Sequence, residues 1–333
     1  MFSAWDEFKQ GKRRRMDILQ FEKNLEQEIF KLHRHLKNKA YVHDPYADFY
    51  IHDPKRRHVH KATVRDRILH HTVFKILNPI YEPTFIARSF SCRIGKGTHK
   101  GILAMEYMIG KISKNNTHSC YVLKCDIRKF FDTIDHGVLL GILRRKIKDD
   151  ETTWLLEKIV GSFTSGYADL FSPKGVPIGN LTSQLFANVY MNEFDQFMKH
   201  ELKVEYYARY TDDFIVVSDD EGYLENLIGR ISLFLRSSLK LALHPGKVSI
   251  TKYGQGVDFL GYVAFPHHKQ IRKRTWRRIL RKFEERISMH KNGSITKENL
   301  DQTIQSYLGV LSHGDSYRKS QDLKNMYLFL MGK

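Results

Sequence analysis

Two short apolar runs, residues 204–210 and 214–217, bracket the triplet Thr211-Asp212-Asp213. Runs rich in Tyr, Phe, Ile and Val favour extended chain, so a polar triplet between them reads as a β-hairpin. Adjacent carboxylates repel, and two of them at the tip of an apolar hairpin cost stability unless a cation neutralises them. An Asp-Asp pair at a turn is commonplace by itself. Asp126 gives this one weight: it ends another apolar strand, VLKCD, and precedes the aromatic-rich Ile127-Arg128-Lys129-Phe130-Phe131. If the strands are neighbours, three carboxylates meet at one edge of a sheet. Hard oxygen ligands of that kind suit Mg²⁺, which keeps positions for water and phosphates. Two such ions roughly 3.5–4 Å apart can clamp the attacking and leaving oxygens of a phosphoryl displacement.

The charge balance points the same way. The 333 residues include 55 Lys plus Arg against 37 Asp plus Glu, a formal charge of +18. Such a surplus in a chain that is 41% hydrophobic implies a packed protein with a polyanionic partner, nucleic acid first among them. No run of 18 apolar residues occurs, so no span across a bilayer is expected. The opening MFSAWDEFKQGKRRR lacks the apolar stretch and small-residue cleavage site of a secretory signal. Cys92, Cys120 and Cys125 suggest neither a disulfide framework nor a zinc site, and a cytoplasmic location is expected. His52, His58, His60, His70 and His71 lack ligand-like spacing and read as solvated or nucleic-acid-facing.

Ile18, Phe21, Leu25, Ile29, Leu32 and Leu36 recur at helical spacing and predict helix within residues 1–40. Residues 12–15 form a basic run inside this arm. Residues 41–62 read as strands and turns, and 63–80 as a helix with Ile68, Val73 and Ile76 inward. A strand is expected at 122–125 and a helix at 138–160. A Pro/Gly turn at 175–179 and a helix at 181–197 follow. Residues 224–239 read as helix, 257–265 as a strand, and the last sixty-odd as basic helix. The alternation, with strands clustered mid-chain, predicts an α+β fold: an antiparallel sheet packed on helices, with helical extensions. KQIRKRTWRRILRKFEER holds nine Lys/Arg in 18 residues, with Ile271, Ile279, Leu280, Phe283 and Ile287 as an apolar stripe. A helix with one buried and one basic face suits contacts along a nucleic-acid backbone.

KCDIRKFFDTID, GVPIGNLTSQLFANVYMNEFD, ARYTDDFIVV, LHPGKVSI and VDFLGY follow one another in this order. They resemble the successive motifs of reverse transcriptases, especially the bacterial group II intron-like lineage. VRDRILHHTVFKIL and SFSCRIGKGTHKGI resemble that lineage's finger motifs, so the likeness covers about residues 50–265. It implies a right-hand polymerase. The arm and fingers would occupy 1–120. The palm would occupy 121–265, with part of the fingers at about 136–175. A helical basic thumb would occupy 266–333. In most intron-like enzymes the turn before the central helix reads Gln-Gly and the helix opens Ser-Pro. Here the chain reads Ile178-Gly179-Asn180-Leu181-Thr182-Ser183-Gln184. That is similar to the signature of reverse transcriptases from diversity-generating retroelements. Those enzymes copy a template RNA with frequent errors at adenines, and the mutated DNA replaces part of a target gene.

The resemblance implies roles residue by residue. Asp126 and Asp212 would be the principal ligands of two Mg²⁺ ions, or Mn²⁺ in their place. Asp213 and the Ile127 carbonyl would stand alongside. Lys247 would protonate leaving pyrophosphate. Phe131 would act as a steric gate against the ribose hydroxyl. Arg57 and Lys55 would grip the incoming triphosphate, and Ile178, Gly179 and Gln184 would border the nucleotide. Arg93 would lie near the template, and Lys273, Arg274, Arg277, Arg278 and Arg281 along the duplex. The implied partners are template RNA, an RNA/DNA primer–template duplex, dNTPs and a small basic accessory protein, Avd. Two competing readings remain. One is a phage-defence or retron-type reverse transcriptase that shares the catalytic residues without the mutagenic role. The other is a non-catalytic RNA-binding protein on a degenerate polymerase palm, against which the intact aspartate triad argues.

Overall fold

The computed structural model describes residues 1–53, 55–168 and 172–331. Residue 54 of DPKRRHVH and residues 169–171 of the stretch expected to join the fingers lie outside the described residues.

The arm folds as α1 (Phe2–Phe8), α2 (Met16–Lys23) and α3 (Leu25–Lys37). Its Trp5, Phe8, Ile18 and Ile29 bury against Val64 and Ile68 of α4 (Val64–Tyr81), so the arm is packed rather than free. Thr63 caps α4 by accepting from the Asp66 amide, a contact worth about 1 kcal/mol. Ile76 departs from expectation. The buried stripe of α4 runs through Ile68, Leu69, Val73, Leu77 and Tyr81, and Ile76 falls outside that arc at 60% exposed. Between α3 and α4, β1 (Ala47–Ile51) and β2 (Arg57–Lys61) form an antiparallel hairpin in register Phe49↔Val59. The next helix, α5 (Thr98–Ile112), lies where the sequence reading set no element.

Then come β3 (Tyr121–Asp126), the single turn α6 (Phe130–Thr133), α7 (His136–Lys146) and α8 (Asp150–Gly161). One helix was expected over 138–160. The chain breaks instead at Asp149, whose carboxylate accepts from the Thr152 amide at 2.7 Å and starts a new helix. Helix α9 (Leu181–Gln196) is almost wholly buried, and β4 (Tyr207–Tyr210) and β5 (Asp213–Ser218) flank the Asp-Asp turn as expected. After α10 (Glu221–Leu239) come β6 (Ser249–Lys252), β7 (Val257–Phe259), β8 (Tyr262–Ala264) and β9 (Lys269–Ile271). The single strand expected at 257–265 is a tight hairpin, because Leu260 and Gly261 turn the chain at φ +47° and +96°. Ile271 accordingly sits on β9 and not on the helix that follows.

The central sheet has the order β4-β5-β3-β6, with β3 and β6 antiparallel; β7-β8-β9 form a second antiparallel sheet. The chain closes with α11 (Lys273–Lys291), α12 (Lys297–Leu311) and α13 (Tyr317–Met331). Helix α11 buries Ile279, Phe283 and Ile287, with Leu280 half-buried. It exposes Lys273, Arg274, Arg277 and Arg281, with Arg278 half-buried. No helix among the described residues is long and apolar enough to cross a membrane.

Two compact units result, each assembled from separate stretches of the chain. One comprises Met1–Ile94, Cys125–Phe214 and Asn226–Val248; the other comprises Gly95–Lys124, Ile215–Glu225 and Ser249–Lys333. Asp126, Asp212, Asp213, Lys247 and the β1–β2 hairpin all belong to the first.

Candidate active site

The site is built on a strained turn. Thr211 adopts φ +56°, a conformation that a β-branched residue resists. Three contacts hold it there. The Thr211 hydroxyl donates to Ser91 Oγ at 2.5 Å, the Arg209 guanidinium donates to the Thr211 carbonyl at 3.0 Å, and the Ile127 amide donates to the Asp212 carbonyl at 3.3 Å. The last bond ties the turn to the end of β3. Asp126 and Asp212 therefore meet at one edge, with Asp213 beside them. Burial pushes the Asp212 carboxyl up to about 6, and the charges of Asp213 and Asp126 add to the rise. Backbone bonds from His244 to the Asp126 carbonyl and from Arg128 to the Ala242 carbonyl bring in the loop that carries Lys247. Lys247 Nζ lies 2.7 Å from Asp126 Oδ2, an ammonium already seated against one carboxylate.

The donor set fits a hard divalent ion. Carboxylate oxygens converge, burial and then their mutual repulsion raise one of them, and a cationic side chain partly offsets the charge. Among the described residues no three His, Cys, Asp or Glu side chains are grouped tightly enough to enclose a metal alone. Mg²⁺ at an open site takes its remaining oxygens from water and phosphate.

The groups expected to border a nucleotide gather around the Pro/Gly turn and the β1–β2 hairpin. The Phe131 carbonyl accepts from the Val176 amide at 2.8 Å, so its half-buried ring stands beside the Pro/Gly turn, 5.4 Å from the Phe130 ring and edge-on to it. The Ile178 carbonyl accepts from the His60 amide at 3.1 Å, placing the turn under the β1–β2 hairpin. Gly179 has φ +127°, and a Cβ there would meet the His60 carbonyl at 3.2 Å and Val59 Cγ1 at 3.3 Å, so only glycine serves both needs. Arg57 opens β2 and Lys55 sits in the hairpin turn, both exposed, and Gln184 is exposed in the first turn of α9. Arg93, expected near the template, is braced within its own loop. Its guanidinium reaches inward to Glu82 at 2.8 Å and to the Ile86 and Ser89 carbonyls. His70 differs from the solvated reading: it is buried between His43 and Thr182, and burial first, then His43, lowers its pKa to about 3.

The family model for reverse transcriptase (RNA-dependent DNA polymerase) matches residues 52–264, well over half of the chain. The chain belongs to the reverse transcriptase family. It is 28% identical over 249 residues to protein YkfC of Escherichia coli (strain K12), covering 64% of this chain and 62% of that protein. It is 26% identical over 306 residues to the group II intron-encoded protein LtrA of Lactococcus lactis subsp. cremoris, covering 71% of this chain and 49% of that one. The chain thus spans roughly half to three-fifths of the length of these relatives. Among solved structures, apo telomerase from Candida tropicalis is similar at TM-score 0.50 and 11% identity, over 68% of this chain and 48% of that one. That likeness supports the right-hand polymerase fold.

Sequence reasoning missed the scaffold of this candidate site. Arg209 and Asp195, both fully buried, pair at 2.6 Å, and Tyr207 donates to the same carboxylate at 2.7 Å. Arg209 also donates to Ser89 Oγ at 3.1 Å. The available signal was an arginine inside the otherwise aromatic and apolar strand YARY and an acid beside the buried Phe194 near the end of α9.

Proposed function

We propose that the chain is an RNA-directed DNA polymerase of a diversity-generating retroelement, making adenine-mutagenic cDNA from a template RNA. The observation that carries the polymerase reading is the meeting of Asp126 and Asp212 at one sheet edge, with the Asp212 carboxyl raised to about 6. Asp126, Asp212, Asp213 and the Ile127 carbonyl would hold two Mg²⁺ ions, with Mn²⁺ as substitute. When bound, these supply Lewis acidity at the attacking 3′-oxygen and the departing pyrophosphate. Arg57 and Lys55 bind the triphosphate from the hairpin. Phe131 closes the space at the sugar C2′ and excludes ribose by clash. Lys247 holds a proton at Nζ beside Asp126 and delivers it to pyrophosphate. The exposed cations of α11 contact duplex phosphates without reading sequence, and the family resemblance adds Avd as accessory protein.

The mutagenic reading rests on Ile178. An amide at this position can hydrogen-bond near the nascent pair, whereas Ile178 cannot. One such bond is worth about 0.5–1.5 kcal/mol, a several-fold change in discrimination. Ile178→Gln is therefore expected to lower misincorporation opposite adenine more than opposite other bases when cDNA is sequenced. An unchanged error spectrum with activity retained would refute the role of Ile178.

A further inference from the structure

We propose that the N-terminal arm and the β1–β2 hairpin enclose a second anion site, which takes a phosphate-bearing nucleotide unit outside the carboxylate edge. The occupant, though not the pocket, rests on the polymerase reading above. A cavity of about 350 Å³ lies between these elements, within the size range of small-ligand pockets. Lys12, Arg15, Lys61 and Arg67 line it, and none of its described lining residues is Asp or Glu. Phe8, Phe49 and Val59 form an apolar wall, and Gly179, Asn180 and Gln184 form part of the floor.

The cations here are crowded. Asp17 lies 2.7 Å from Lys61 and 2.8 Å from Arg67. Burial pushes its carboxyl up, but those two partners outweigh it and hold it down at about 2. One carboxylate thus answers two positive groups, and Lys12 and Arg15 line the same cavity. Lys12 Nζ stands 4.3 Å from the Phe8 ring centre and the Arg67 guanidinium 5.0 Å from the same ring. Burial, then Arg67 and Arg15, lower the pKa of Lys12. Like charges gathered round one ring are relieved by an anion, and arginine forks match phosphate oxygens in pairs. Phe49, 45% exposed, offers a ring face on which a base can stack.

Phosphate with a planar base can arrive as a strand or as a free nucleotide. The floor residues Gly179 and Gln184 also border the proposed nucleotide position, which favours an unpaired nucleotide of the RNA strand.

The test is protection of Lys12 in the intact protein from an amine-reactive ester, read by mass spectrometry. The probes are a blunt duplex, the same duplex with a six-nucleotide RNA 5′ overhang, and inorganic tripolyphosphate. Several-fold protection by the overhang but not the blunt duplex is expected and assigns the strand. Protection by tripolyphosphate alone supports the anion pocket and assigns a free ligand. Protection by neither overturns the proposal, even if the protein synthesises no DNA, so failure of the polymerase reading is seen separately. As a second measure, Lys12→Glu with Arg15→Glu should weaken binding of the overhang duplex about tenfold more than that of the blunt duplex. It should also lower the overhang's salt slope by about two. An equal loss on both duplexes would contradict a site for the overhang.

Discussion

Asp195 and Asp212 stand a short way apart in one compact unit and are treated in opposite ways. Asp195 is fully buried, yet an arginine fork and a tyrosine hydroxyl satisfy it. Asp212 is less enclosed, yet its nearest charged company is two more carboxylates, and its carboxyl rises to about 6. The scaffold neutralises its own charges, whereas the Asp126–Asp212 edge gathers carboxylates with Lys247 as a partial offset. The two are joined, because Arg209 pairs with Asp195 and also holds the Thr211 carbonyl that begins the turn. A buried ion pair thus fixes the turn on which neighbouring carboxylates repel one another, an arrangement that a divalent ion complements.

The largest effect expected is on chemistry. Asp126→Asn removes a charged oxygen while nearly keeping its shape, so cDNA synthesis should fall by orders of magnitude. RNA affinity, carried by the basic surfaces, should stay within about twofold in a binding titration. Loss of both together would mean that Asp126 supports the fold and not the reaction.

The scaffold pair should respond in stability. Arg209→Met leaves Asp195 buried without its cation, and such a break costs about 3–5 kcal/mol, measurable by denaturant unfolding. Adding Asp195→Leu should recover much of the stability, because buried ion pairs are replaceable by apolar packing. Activity should stay low, since the Thr211 turn has still lost its guanidinium. Full recovery of both would show that Arg209 does not position the turn.

A smaller effect concerns pH. In the unfolded chain Asp212 titrates near 3.8, and in the folded one near 6. The folded protein holds the extra proton between those values, so without divalent ions Asp212 makes stability fall as pH rises from about 4 to about 6. Thermal unfolding in chelator should show this decline, Asp212→Asn should flatten it, and Mg²⁺ should offset it in the wild type. A curve identical in Asp212→Asn would place Asp212 in ordinary solvent. The smallest effect is on sugar choice: Phe131→Ala should raise rNTP relative to dNTP incorporation several-fold. An unchanged ratio would remove Phe131 as the gate.

The same contrast explains what was legible beforehand. The Asp-Asp turn, the strand before Asp126 and the long helix after Gly179 are local patterns, and each folds as read. Backbone bonds tie Phe131 to Val176 and Ile178 to His60, pairings between segments that motif order alone does not give. Ile76 was misplaced because helical spacing defines an arc, not which edge of it meets a neighbour. The hairpin at Leu260-Gly261 was hidden inside an apolar run whose residues suit either one strand or two. Asp195–Arg209 and the cavity around Lys12 join distant segments, and no pattern of single-residue spacing encodes such pairings. Arg93 adds a further case: the motif position gave no sign of its partners Glu82 and the Ile86 and Ser89 carbonyls.

The most direct test is DNA synthesis on an RNA template by metal-stripped protein, with Mg²⁺ added back, wild type beside Asp212→Asn. The account predicts cDNA from the wild type only when Mg²⁺ is present, and a yield lower by orders of magnitude from the variant. Equal yields from the two proteins, or wild-type synthesis undiminished by chelator, would contradict it.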